Sequence, residues 1–469
     1  MNIATIEAYL DEERLSKSLV GSGLSESAAR AQARQFARGA SALLDDGLSP
    51  DAEAIGVFVP GRIEVLGKHT DYCGGHSLVA AAQRGICFLA VRRDDAIIRA
   101  IAPDLDDKCE FVLAEDIEPT VGHWSNYPMT LARRVSRNFP GQLHGTHIAY
   151  CGDLPPDSGM SSSSAVLIGM FMVISQINDL ESRSEYSENI TDRRSLAAYL
   201  GSVENGSDFG SLTGSSGVGT RGGSEDHTAI LNSMPGWLGR YSYFPVKLHE
   251  NLPLNDEYIF SIAASGVSAP KTGSAREKYN RMSRRARTVL ELWRQETGRD
   301  DPHLAAVIES SPDATKQLAG FLADGSGDLT REELVSRCDQ FITENFQIIP
   351  AACAALMHGD MEAFGVLVDK SQELADTQLG SQVPQTVFLA RSARELGAAA
   401  ASSFGAGFGG AVWALIRKDQ AEAFGEKWSQ SYAEAFPTES QSANFFTTNP
   451  GPSAFFAYGL EKNNESTLL

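Results

Sequence analysis

The chain has 469 residues, of which 42% are hydrophobic and 21% charged, ample apolar material for buried cores and incompatible with a disordered polymer. Sixty acidic against forty basic side chains leave a formal charge of -20, so most of the exterior repels phosphate backbones and anionic bilayers; neither nucleic acid nor a membrane is expected as a partner. An anionic ligand would need a local pocket of backbone N–H groups and a few cations. Met1 to Glu7 lack a basic lead with an apolar core, and no run of about 18 apolar residues occurs, which reads as a cytoplasmic protein. The six cysteines (Cys73, Cys87, Cys109, Cys151, Cys338, Cys353) show no CxxC spacing and are expected to be reduced and packed, with Cys73 inside a motif.

Residues 6 to about 45 alternate apolar and charged positions at helical spacing until Asp45-Asp46-Gly47 and Pro50, which predicts a leading helical segment. Val57-Phe58-Val59 and Ile63-Glu64-Val65-Leu66 are β-rich runs flanking Pro60-Gly61, followed by a turn at Gly74-Gly75 and a strand from Ile86 to Val91. From Ser161 to Ile174 the chain becomes apolar on all sides, predicting a helix buried on every face that Asn178-Asp179 stops. Ser207 to Gly223, rich in glycine and serine, has too little apolar content to pack alone and reads as a mobile loop. A domain change is placed near residues 245–256, giving an N-terminal domain over 1–250 and a C-terminal one over 251–469. Basic helical sequence follows from Arg281 to Arg299, and a strand-like Ala411 to Leu415 follows a glycine cluster.

The residues with chemical potential fall in a few stretches. Pro60 to Gly75 packs Arg62, Lys68, His69 and Asp71 into a turn bounded by glycines, where hydroxyls of a small polar ligand can be read. Strand alternation puts Arg62 and Glu64 on one face, opposite Ile63 and Val65, either lining a cavity or forming a surface ion pair. Gly67-Lys68 imitates the end of a Walker loop, but Gly61 is too far upstream and His69 stands where Ser or Thr belongs, so there is no P-loop. Leu154 to Ala165 carries four serines into the buried helix; its exposed N–H groups suit phosphates and its hydroxyls suit Mg²⁺, while a plain helix cap is the other reading. Glu204 adjoins the stripe Leu196, Leu200, Val203 near a helix C-terminus, where a carboxylate opposes the macrodipole; it is either a Mg²⁺ ligand or an ordinary boundary glutamate.

Gly217 to Gly222 matches the dinucleotide fingerprint, yet no apolar strand precedes it, and a Rossmann reading fails. Gly222 to His227 is instead a glycine turn presenting acids that can take a hydroxyl proton. Asp324 to Asp328 departs from a calcium loop at Leu329 and Val335, and Thr330 with Glu333 reads as a helix capping box. Phe404 to Gly410 lets backbone approach another element or ligand closely.

Taken in order, these stretches resemble the three motifs of the GHMP kinase superfamily, and the first is similar to the galactokinase signature. Trp124-Ser125-Asn126-Tyr127 looks like the family's adenine-contacting segment, and Ser265-Gly266-Val267 through Tyr279 like its sugar-side strand and helix. The resemblance implies a two-domain α+β fold, with an N-terminal ribosomal-protein-S5-domain-2-like part and a C-terminal ferredoxin-like part, and ATP-dependent phosphorylation of a sugar at C1. It implies that Asp226 acts as base or orienter and that Arg62 stabilises the transferring phosphoryl group. Ser162 and Glu204 would hold Mg²⁺; Trp124, Gly159, Met160, Ser161, Ser162 and Ser163 would contact the nucleotide. Lys68, His69, Asp71, Gly223 and Tyr279 would line the sugar pocket. The implied partners are the sugar and MgATP alone, in a monomer or weak dimer.

Two positions depart from the galactokinase pattern, which has glutamate at Lys68 and asparagine at Glu64. An ammonium in place of an acceptor carboxylate reverses the preferred partner, so the sugar's C6 group is anionic, as in a uronate, or Lys68 pairs with Glu64 and galactose is read by Asp71 and Tyr279. A non-catalytic sugar and ATP sensor is the alternative from another class.

Overall fold

The computed structural model describes residues 4–267 and 273–458. Its first sheet runs β1 (Ala4–Thr5), β2 (Glu53–Leu66), β3 (His76–Arg92), β6 (Thr146–Gly152), β4 (Ile97–Ala102), β5 (Asp107–Val112), with β7 (Trp237–Ser242) on β3, β8 (Lys247–Pro253) on β7 and β13 (Phe455–Phe456) on β2. All pairings are antiparallel except β4 with β6. The second sheet runs β10 (Ala400–Ser403), β11 (Ala411–Arg417), β9 (Tyr258–Ala264), β12 (Asn444–Thr448).

Period-two alternation decides which layer covers which face. Val57, Val59, Ile86, Phe88 and Ala90 pack with the Ser162–Asn178 helix, whereas Phe58, Cys87 and Leu89 pack with the helices Glu12–Gly21 and Glu26–Asp45. The sequence reads that leading segment as helical, and the two helices account for it. The Ser162–Asn178 helix is buried around its circumference from Leu167 to Ser175, as its lack of a polar face requires, and Asp179 ends it in a left-handed conformation.

The two β-rich runs around Pro60-Gly61 form one 14-residue strand rather than two. Proline is tolerated because the β2–β3 register breaks between Pro60 and Arg62, and again between Glu64 and Leu66. At the first break the Arg62 N–H bonds Met160 O across to the serine-bearing segment, at 3.0 Å. Beyond it, Ile63, Val65, Leu78 and Ala80 join Phe260, Ile262 and Trp413 in a second core shared with the helices Ile349–Met357 and Met361–Leu374. The second sheet's other face is covered by the helices Pro384–Glu395 and Ala421–Ala435. The functional face of β2 therefore sits where the two sheets' layers meet.

All six cysteines are free, and Cys109 alone among them is not fully buried. Thr330 and Glu333 form the expected capping box. Ser207 to Gly223 holds no helix or strand beyond an isolated bridge between Phe209 and Leu212. Among the described residues no helix is long and apolar enough to cross a membrane.

Candidate active site

A cleft with about 800 Å³ of empty space, its open mouth included, collects residues from β2, the 67–76 turn, the start of the Ser162–Asn178 helix, the 222–227 turn and the 404–410 glycine loop. At its centre Arg62, 4% exposed, donates from Nε to Asp226 Oδ1 at 2.8 Å; its Nη2 lies 2.6 Å from the same oxygen and Nη1 donates to Gly159 O at 3.1 Å. Glu225 Oε1 is 3.8 Å from Arg62 Nε. Glu64 is buried beside them, hydrogen-bonded to Glu225, with Oε1 left without a partner. Burial raises the pKa of both carboxyls, with Glu64 adding to the rise at Glu225, while Arg62 opposes the shift in each.

Asp71, Tyr72, His69 and Tyr279 form a further part of the cleft wall. Gly222 and Gly223 make this wall possible: a Cβ on Gly223 would stand 2.4 Å from Asp71 Oδ2, and one on Gly222 2.5 Å from the Tyr279 hydroxyl oxygen. Asp71 accepts from the N–H groups of Tyr72 at 2.8 Å and Glu225 at 3.3 Å. Burial nevertheless pushes its pKa up to about 6. His69, hydrogen-bonded to the Tyr72 hydroxyl at 2.9 Å, is pushed down to about 4 by burial and by Arg337, and is neutral at physiological pH. An Asp71 that accepts ligand hydroxyls must be ionised, so the KM of the hydroxylated ligand should be flat above pH ~7 and rise about tenfold per pH unit well below Asp71's raised pKa. KM measured from pH 5 to 8 in wild type and Asp71→Asn tests this, the variant showing a high KM without the acid limb.

The nucleotide side is the helix start. Ser161 takes a left-handed conformation, φ 63°, at the N-cap position but makes no side-chain cap bond, and its buried hydroxyl oxygen has no partner. A redundant cap is thereby excluded for Ser161. Ser162 and Ser163 sit half-buried in the first turn, whose N–H groups point out of the helix. Ser164 donates to Glu204 Oε2 at 2.9 Å, and His227 Nε2 lies 3.3 Å from that oxygen. Glu204 lines the cleft, near the end of the Arg193–Asn205 helix. The glycine loop closes over this end: a Cβ on Gly405, φ 83°, would fall 2.9 Å from Gly159 O.

Of the residues singled out in the sequence, the cleft brings together Arg62, His69, Asp71, Gly159, Ser161, Glu204, Gly223, Asp226 and Tyr279. Met160 faces the second core, leaving only its backbone beside Arg62. Trp124 stands off the cleft, its Nε1 donating to Asp107 Oδ2 at 2.8 Å and its ring edge-on to Tyr150. Lys68 does not line the cleft: it is 2% exposed and its Nζ donates to Ser402 Oγ at 2.8 Å. Among the described residues no ion pair joins Lys68 to Glu64. In the segment from Ser265 to Tyr279, residues 268–272 lie outside the described residues.

Sequence reasoning did not foresee the scaffold beneath the 67–76 turn. Arg337 donates to His69 O and Gln340 to Lys68 O, while Glu344 Oε1 accepts from the Gly67 N–H at 2.8 Å and Asn345 Oδ1 from the His76 N–H at 2.6 Å. These four project from the Arg331–Thr343 helix and the π-helical turn Glu344–Ile348. Buried polar residues at helical spacing were the available signal.

Comparison with known proteins finds kinases similar to this chain. Residues 49–92 match the family model described as the galactokinase galactose-binding signature, and residues 351–434 match the GHMP kinases C terminal model. A galactokinase of Glaesserella parasuis serovar 5 is 24% identical over 379 residues, covering 80% of this chain and 88% of the relative. One from Roseiflexus sp. is 26% identical over 387 residues, covering 81% and 88%. By these matches the chain is similar to the galactokinases of the GHMP kinase superfamily. The crystal structure of Lactococcus lactis galactokinase complexed with galactose superposes with a TM-score of 0.73 at 24% identity, covering 88% of this chain and 99% of that one. The two-domain α+β GHMP fold accordingly carries the cleft, with the signature turn on one wall and the C-terminal glycine loop on another.

Proposed function

We propose that this GHMP kinase transfers the γ-phosphoryl group of ATP to the anomeric hydroxyl of galactose or a close uncharged relative. The observation that carries the reading is the meeting, in one cleft, of the Asp226–Arg62 pair with a serine hydroxyl that neither caps its helix nor finds a partner. Asp226 orients the acceptor hydroxyl and takes its proton, and Arg62, held by Asp226 on one edge and Gly159 O on another, offsets charge on the phosphoryl group. The N–H groups at the helix start receive the ATP phosphates. Asp71, His69 and Tyr279 hold the sugar so that its hydroxyl faces Asp226.

The donors present fit Mg²⁺: Glu204 and the orphaned hydroxyl of Ser161 line the same cleft, with Ser162 next in the chain, and all are oxygen ligands of the kind a hard cation takes. Glu204 with Ser162 or Ser161 would hold the ion, which neutralises phosphate charge when bound. Six unpaired thiols support a reducing, cytoplasmic setting. Steady ADP release from MgATP with one or more members of a sugar panel is the expected result. Binding of sugar and ATP without turnover of any sugar would instead establish the sensor.

The uronate reading needs Lys68 at the sugar, and its ammonium is engaged by Ser402 behind the wall. Lys68→Met should therefore leave the ratio of kcat/KM for galactose and galacturonate within about threefold of wild type, a solvated C6 contact being worth more than that. A tenfold shift toward galactose would return Lys68 to the sugar.

A further inference from the structure

Tyr72 lines a second hollow besides the cleft, with about 570 Å³ of empty space, its open mouth included. Tyr72, Ala286, Leu290 and Leu304 give it an apolar surface, and Arg221 and Arg287 give it charge. Among the described residues no carboxylate lines it, in a chain with sixty acidic side chains. His303 also lines it and is held neutral, because burial outweighs the pull of Glu309 and Asp301. Arg221 and Arg287 are exposed, and among the described residues neither side chain makes an ion pair or a hydrogen bond. Both also line a neighbouring groove, so they stand on the ridge between the two. In that groove Arg281 and Arg284 are by contrast paired with Asp328 and Glu333, and Lys278 is accompanied by Glu277.

The two unpaired arginines are brought to one place by the fold. The Arg221 N–H donates to Asn280 Oδ1 and Asn280 Nδ2 donates to Gly219 O, each at 3.1 Å, which fastens the loop to the Gly273–Thr297 helix. Asn280, Ser283 and Arg287 follow at i, i+3, i+7 on one face, so the anchors of the two arginines are about 10 Å apart along the axis, within reach of two long side chains closing on one anion. We propose that this hollow is a second ligand site, for a small organic phosphate whose head lies between Arg221 and Arg287 and whose apolar or aromatic body rests against Tyr72 and Leu290. A dianionic head matches two guanidiniums, and the body removes apolar surface from water. The site also touches the sugar wall: the Tyr72 hydroxyl meets His69 Nδ1 at 2.9 Å, and Arg221 precedes Gly222, which abuts Tyr279. On the sugar-kinase reading, occupancy braces that wall and lowers the sugar's KM.

Isothermal titration calorimetry with phenyl phosphate, inorganic phosphate and benzyl alcohol tests the site without turnover, in wild type and in the double variant Arg221→Gln, Arg287→Gln. A saturating non-hydrolysable ATP analogue keeps the probes off the serine-bearing helix start. Phenyl phosphate should bind once per chain, about tenfold or more tighter than either fragment, and about tenfold or more weaker in the double variant. The substituted side chains are exposed and unpaired, so the variant's melt should match wild type. No binding of phenyl phosphate to wild type, binding of inorganic phosphate just as tight, or binding unchanged in the double variant overturns the proposal. In steady-state assays phenyl phosphate should lower the galactose KM about threefold or more in wild type and not in the double variant; binding with an unchanged KM overturns the link to the sugar wall. No turnover of any sugar removes the kinase reading and leaves the calorimetry to decide the site.

Discussion

Replacing Asp226 by asparagine should lower kcat by about 10²–10⁴-fold while the sugar's KM stays within about threefold, because the lost function is proton acceptance at the moment of transfer. Asp226 sits in the first turn of the Glu225–Asn232 helix, where its Oδ1 receives two nitrogens of Arg62. An amide preserves shape and one acceptor but carries no charge, so both proton acceptance and the grip on Arg62 weaken together. Steady-state kinetics on the folded variant, verified by an unchanged thermal melt, give the answer. Activity near the wild-type rate would take Asp226 out of the mechanism.

Arg62→Met should be the second severe lesion, and unlike the first it should also cost stability. Three carboxyls surround this guanidinium: Asp226 in contact, Glu225 at 3.8 Å, and Glu64 within its electrostatic reach. Removing a buried cation strands its partners, a loss on the order of 3–5 kcal/mol, part of which protonation of the acids recovers. Transfer loses the charge that meets the phosphoryl group, on the order of 10²–10³ in kcat for one such donor. Arg62→Lys should recover stability more than rate, since one ammonium cannot span Asp226 and Gly159 O together. A melt unchanged in Arg62→Met would show that the carboxyls do not depend on it.

Much of this site is written in local sequence. The β2 alternation, the helix that is apolar all round, Glu204 on the inward side of its stripe and the acids after Gly222-Gly223 each follow from spacing a few residues long. What was not legible depends on partners far along the chain. Lys68 reads as a sugar contact from the company of His69 and Asp71, which do line the cleft; its direction is decided by Ser402, 334 residues later. The contact between Glu64 and Glu225 needs the 222–227 turn folded against β2, and the support of Gly67, Lys68, His69 and His76 comes from Arg337 to Asn345. Pro60 is a strand breaker by propensity, and only the break in register shows why β2 passes through it. The glycine loop at 404–410, weak as a motif, owes its role to the approach of Gly405 to Gly159, a contact between the chain's two halves.

The serine-bearing helix start and Asp226 should serve one reaction. A crystal structure with a non-hydrolysable ATP analogue, Mg²⁺ and sugar measures this most directly. The terminal phosphate should lie over the Ser161–Ser163 N–H groups, with the acceptor oxygen about 3–3.5 Å from phosphorus and within hydrogen-bond reach of Asp226. A nucleotide bound elsewhere, or a sugar whose anomeric oxygen faces away from Asp226, would contradict it.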